Sequence, residues 1–212
     1  MQNFIQAEIQ KLSLILLQIQ QDTQLLGIVE QIAQACLQAV AQGKKIMLAG
    51  NGGSAADSQH LAAELVSRLR FERAAMPALA LTTDTSALTA IGNDYGFEYI
   101  FARQIESIGQ PGDVFIGIST SGKSPNILRA LETAHAKQIT TIGFTGQHAP
   151  LMAERCDWLL NIPSAETQKI QECHIMLGHI ICGLVEEATF GVAAAKTPHP
   201  SPPPQGGREP VF

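Results

Sequence analysis

Five short apolar runs interleaved with helical stretches limit the folds open to this chain more than any other feature. The runs occupy residues 45–49, 78–81, 114–118, 140–144 and 158–162. Helical patterning fills the segments from 54 to about 69, 86–93, 97–108, 124–137 and about 167–190. Parallel strands need a crossover, usually a helix, so this alternation predicts a parallel sheet with both faces covered. Ligands of such sheets bind beyond the carboxyl ends of the strands. Two Gly/Ser-rich segments fall there: Gly50-Asn51-Gly52-Gly53-Ser54 after the first strand, and Ser119-Thr120-Ser121-Gly122-Lys123-Ser124 after the third.

The second segment opens a helix, where hydroxyls and backbone N–H groups converge on the positive end of the helix dipole. A phosphate there could accept several hydrogen bonds without an arginine. The same residues also make an N-cap turn, with Ser124 as cap and Pro125 at the first helical position. The two readings are compatible. In the first segment the glycines let backbone approach a ligand, and Asn51 and Ser54 supply polar tips. It is neither GxGxxG nor a P-loop, which argues against a nucleotide.

Ahead of the core, residues 3–42 read as two helices broken near Asp22-Thr23 and Gly27. Phe4, Ile5, Ile9, Leu12 and Leu16 recur at helical spacing. That is more apolar surface than a lone helix needs, and it suits packing on a partner subunit. The chain therefore divides into an N-terminal helical arm (1–44), an α/β core (45–192) and a Pro-rich tail (193–212) expected to be disordered.

A net charge of −5 disfavours a broad footprint on nucleic acid or anionic membrane. The first ten residues lack a basic leader, and no apolar run approaches the roughly 20 residues of a membrane span. A soluble, cytoplasmic protein is expected. Cys36, Cys156, Cys173 and Cys182 form no CxxC pair and read as buried, reduced thiols.

Two helices carry groups suited to acid–base or metal chemistry. His60 and Glu64 lie at i and i+4, on one helical face. Gln171 and His179 are about two turns apart on the long last helix, with His174 competing for the Gln171 face. Spacing alone is more often a solvated pair than a metal site, and a lone His among Met176, Leu177, Ile180 and Ile181 is usually a core residue.

Gly-Asn-Gly-Gly-Ser after the first strand, with Gly-Ile-Ser-Thr-Ser-Gly-x-Ser after the third, resembles the SIS (sugar isomerase) phosphosugar-binding family. Gly92-Asn93-Asp94-Tyr95-Gly96-Phe97 resembles its phosphoheptose isomerase branch, and the likeness covers residues 3 to 190. The resemblance implies a three-layer SIS sandwich in which a five-stranded parallel sheet is flanked by helices. It implies a phosphate grip by Ser119, Thr120, Ser121 and Ser124, with Asn51, Gly52, Gly53, Ser54, Asn93 and Asp94 lining the sugar. Gln-His-Leu-Ala-Ala-Glu-Leu and Lys-Ile-Gln-Glu-Cys-His resemble the helices bearing that branch's metal ligands. By that likeness His60, Glu64, Gln171 and His179 would hold one zinc ion per subunit. Glu64 would also serve as base and His179 as acid, and Glu64 and Gln171 would touch substrate.

The implied protein is a homotetrameric ketose–aldose isomerase. It would convert sedoheptulose 7-phosphate to D-glycero-D-manno-heptose 7-phosphate for lipopolysaccharide or capsule precursors. Two departures touch the substrate contacts: Ala165-Glu166-Thr167-Gln168-Lys169 before Gln171, and Ala55-Ala56 after Ser54. The second, with Thr83-Asp84-Thr85, also resembles a non-catalytic SIS branch that binds the replication initiator protein as a homotetramer. That branch usually lacks the equivalents of Glu64 and His179, so retention of both favours the enzyme.

Overall fold

The computed structural model describes residues 1–194, with side chains as far as Gly191; most of the expected tail lies outside the described residues. Five strands, β1 (Ile46–Gly50), β2 (Ala78–Ala80), β3 (Val114–Ile118), β4 (Thr140–Thr145) and β5 (Trp158–Asn161), form one parallel sheet in the order β2-β1-β3-β4-β5. Every residue of β1 and β3 is buried, as expected of central strands covered on both faces.

Alternation along the strands feeds two cores. Ile46 and Leu48 of β1, with Val114, Ile116 and Ile118 of β3, join one core. It is completed by α2 (Thr23–Ala41), α3 (Gly53–Val66) and α8 (Thr167–Ala194). Met47, Ala49 and Phe115 point the other way, towards α5 (Ala102–Ile108) and α6 (Pro125–Ala136). The result is the expected three-layer sandwich.

An arm of α1 (Gln2–Gln21) leads into α2. The break falls at Asp22 because its carboxylate accepts the N–H groups of Gln24 and Leu25, both at 3.0 Å, and so starts a new helix. Phe4, Ile5, Ile9, Leu14 and Leu17 remain exposed along α1. Lys11 meets Glu166 at 3.2 Å and Lys169 meets Glu8 at 3.5 Å, tying the arm to the start of α8.

Three local readings change. The segment 97–108 is not one helix: a 3-10 turn at Phe97–Tyr99, entered through Gly96, precedes α5. A short helix, α7 (Pro150–Ala153), was not foreseen in the loop before β5. Helix α3 ends at Val66 rather than near 69, because the N–H groups of Leu69 and Arg70 donate to the Glu186 carboxylate instead of to the helix. Helix α4 (Thr85–Asp94) lies between β2 and that turn.

Helix α8 is long and apolar enough over Thr167–Gly191 to cross a membrane by length and composition. Half of that window is buried within the protein, against α2, α3 and the sheet, which makes it a core helix. Cys36, Cys173 and Cys182 are buried free thiols, as expected, whereas Cys156 is half-buried. Burial pushes the Cys182 thiol up to about 12 and that of Cys173 up to about 11, so neither is a ready nucleophile.

Candidate active site

Strand order places the site. The chain leaves β1 towards β2 on one side and returns to β3 on the other, so the sheet's switch point lies between β1 and β3. Gly50 pairs in register with Ile118. The two Gly/Ser-rich loops therefore emerge side by side at the carboxyl edge.

Asn51 of the first loop and Asn126 of α6 exchange amide hydrogen bonds in both directions, at 3.0 and 2.8 Å. Asn126 is 1% exposed. This residue was missed in the sequence, although it sits on the buried stripe of α6 with Ile127, Ala130 and Ala134, where a polar side chain calls for a partner.

In the second loop, Ser119 N–H donates to Phe144 O and Gly122 N–H to Ser119 O. Gly122 has a positive φ of 64°, and a side chain there would overlap Ala149. The N–H groups of Thr120, Ser121 and Ser124 donate to no protein atom among the described residues. Ser124 stands at the N-cap of α6 but its side chain does not cap the helix. Its hydroxyl instead meets that of Ser119 at 2.9 Å. The cap expected of Ser124 is thus replaced by a paired-hydroxyl arrangement, and in the first turn of α6 the Asn126 N–H has no partner among the described residues.

Helices α3 and α8 run side by side from this edge. Gln171 Nε2 is 3.5 Å from Ser54 Oγ, and a Cβ on Gly53 would come within 2.7 Å of the same nitrogen. Only glycine admits Gln171 so close. Seven residues further along α3, or about 10 Å by helical rise, His60 Nε2 faces His179 Nε2 at 2.7 Å. Glu64 Oε1 is 3.3 Å from His60 Nε2, and one ligand atom from each of His60, Glu64 and His179 lies within 4.8 Å of the others. An open hollow lined by Leu69, Arg70, His179 and Ile180 adjoins the cluster.

The structure thus brings His60, Glu64 and His179 together, and Gln171 to the Gly53–Ser54 turn. His174 does not share the Gln171 face. It is fully buried, with Nε2 3.2 Å from Thr145 O, and burial pulls its imidazole down to about 4. Asn93 and Asp94 are exposed at the end of α4 and bond to each other at 2.8 Å; among the described residues no hydrogen bond joins them to the loops. Asp57, one turn before His60 on α3, keeps a buried oxygen without a partner, and desolvation raises its carboxyl above the usual range.

Two imidazoles and a carboxylate are a donor set that zinc accepts at sites with an open position, and their convergence fits one ion. Amide oxygen, as in Gln171, is an uncommon addition.

Comparison with known proteins gives the family. The family model for the SIS domain matches residues 9–146. The phosphoheptose isomerase of Burkholderia pseudomallei (strain 1710b) is 61% identical over 170 residues, 80% of this chain and 86% of that protein. That of Aneurinibacillus thermoaerophilus is 53% identical over 190 residues, 90% of this chain and 96% of its own. The structure of phosphoheptose isomerase GmhA from Neisseria gonorrhoeae superposes with a TM-score of 0.82 at 40% identity, covering 88% of this chain and 98% of that one. The chain belongs to the SIS domain family, in its phosphoheptose isomerase branch.

Proposed function

We propose that this sugar-phosphate isomerase interconverts sedoheptulose 7-phosphate and D-glycero-D-manno-heptose 7-phosphate, supplying heptose for lipopolysaccharide or capsule. The observation that carries the reading is the His60–Glu64–His179 cluster, set on helices that start beside the two loops. It is supported by relatives named phosphoheptose isomerases at 61% and 53% identity.

The loop donors of Ser119, Thr120, Ser121 and Ser124 take the phosphate at the α6 N-terminus, where the helix dipole favours negative charge. Asn51, Gly52, Gly53, Ser54, Asn93, Asp94 and Gln171 line the sugar. The cluster lies about 10 Å along α3 from the first loop, so phosphate and reacting carbons occupy opposite ends of an extended substrate. Glu64 removes a proton from C1 of the ketose while His179 protonates O2. Return of a proton to C2 and loss of one from O1 then completes the aldose. One zinc ion held by His60, Glu64 and His179 would supply positive charge where oxygen becomes negative. Gln171, expected from the sequence as a fourth ligand, stands instead at the Gly53–Ser54 turn about 10 Å along α3 and would face the substrate. A ligating atom cannot also take a proton, so proton work falls to the second oxygen of Glu64 and the other ring nitrogen of His179.

The exposed apolar residues of α1 suit subunit packing, and we infer a cytoplasmic homotetramer with no nucleic-acid or membrane partner. The initiator-binding scaffold gains no support, since the relatives compared above are named as isomerases.

The test incubates zinc-loaded protein with sedoheptulose 7-phosphate and follows the aldose by NMR, with Glu64→Gln alongside. Turnover lost in the variant supports the reading. Absence of turnover in folded, metal-bound wild type overturns it.

A further inference from the structure

Arg73 and Glu186 form a buried ion pair that the reaction chemistry does not use. Arg73 Nε donates to Glu186 Oε1 at 2.9 Å, and the two side chains are 1% and 0% exposed. Nη1 donates to the carbonyls of Leu65 (2.8 Å) and Ala74 (3.0 Å), and Nη2 to that of Glu64 (2.8 Å). Glu186 accepts from Leu69 N–H at 3.0 Å and Arg70 N–H at 2.9 Å. Four of the five guanidinium N–H groups and both carboxylate oxygens thus have partners, drawn from the pair itself, the end of α3 and the segment after it.

The placement matters because of what the two helices carry. Glu64 lies in the last turn of α3, whose carbonyls have no partner within the helix. Arg73 fills two of them, and its charge suits the negative end of the helix dipole. Glu186 lies on α8 two turns beyond His179. The pair thus fixes how far α3 slides along α8, and with it the spacing of Glu64 and His60 from His179. A buried ion pair is seldom more stabilising than apolar residues of the same volume, whereas it is well suited to specifying one geometry.

We propose that Arg73 and Glu186 are positioning residues: they set the register of α3 against α8 and so hold Glu64, His60 and His179 in working geometry. This rests on the isomerase reading above. A misplacement of about 1 Å in such a constellation can cost on the order of 100-fold in rate.

The test is Arg73→Lys, which keeps the charge opposite Glu186 but replaces the planar fork with a point charge unable to span all of these acceptors. The double variant Arg73→Met/Glu186→Leu removes both charges without leaving one unpaired. Both are assayed per folded molecule for kcat, KM, zinc affinity by chelator competition, and the visible spectrum of the cobalt form. The expected result in each is a kcat lowered about 10- to 100-fold with KM within about twofold. Zinc binding weakens about 10-fold or more, as when outer partners of metal ligands are lost, and the cobalt bands shift. Values of kcat and zinc affinity within twofold of wild type in either folded variant overturn the proposal. So does activity that falls only in step with the folded fraction. A wild type that turns over nothing removes the isomerase reading alone. The imidazole NMR shifts of His60 and His179 then still show whether Arg73→Lys moves the pair.

Discussion

Asn51 and Asn126 hold each other amide to amide, so the loop after β1 and the helix after β3 share one hydrogen-bonded joint. Asn126→Ala leaves the Asn51 amide unpaired at a half-buried position. A loss of about 1–3 kcal/mol in stability is expected, with KM for the sugar phosphate raised as the first loop loosens. Thermal denaturation and steady-state kinetics read both. An unchanged Tm and KM would show that the joint holds nothing in place.

Zinc should stabilise wild-type protein through the histidine–carboxylate cluster. Added at 100 times its Kd, an ion bound only by the native state contributes about 2.7 kcal/mol. His60→Ala and His179→Ala each remove a proposed ligand and should abolish most of the zinc-dependent rise in Tm. If His60→Ala is stabilised by zinc as much as wild type, the ion binds elsewhere.

Ser124→Ala removes the hydroxyl that meets Ser119 and should weaken the grip on phosphate more than the chemistry. A KM increase of about 10-fold, equivalent to one hydrogen bond to a charged group of about 1.5 kcal/mol, is expected with kcat changed less. A fall in kcat at constant KM would instead place this loop at the reacting end.

His174 makes folding depend on pH. Its folded value near 4 lies below the roughly 6.5 of an unfolded histidine, so protons bind the unfolded chain first as pH falls. The stabilisation is fully present above about 6.5 and declines as pH drops towards 4. Between pH 7.5 and 5 the loss is about 2 kcal/mol. Chemical denaturation at both values should show it in wild type, and His174→Gln should flatten the difference. Equal slopes in the two proteins would rule this histidine out as the cause.

Much of this arrangement could be read from local pattern. The strands were legible because β1 and β3 are short apolar runs ending in Gly- and Ser-rich turns, and those turns fall at the carboxyl edge by topology alone. His60 and Glu64 were legible as i, i+4 neighbours. What escaped was pairing across long sequence distance. Asn51 finds Asn126 after 75 residues, and Arg73 finds Glu186 after 113, with no local feature linking the partners. Each buried member did leave a trace, a polar residue on an apolar helical stripe: Asn126 beside Ile127 and Ala130, Glu186 beside Cys182 and Val185. His174 was ambiguous because three-residue spacing on a helix leaves neighbours on adjoining faces. Full burial against Phe144 and the contact with Thr145 separate it from Gln171.

His60 and His179 stand 119 positions apart, at the two ends of the core. A ribosome adding about 5–20 residues per second makes α3 on the order of ten seconds before the last helix is complete. Until then the groove that α8 will fill exposes Leu61 and Leu65 to water, and half of the cluster exists without the other. The active centre is thus acquired late, and its presence reports that α8 has been made and has docked against α3.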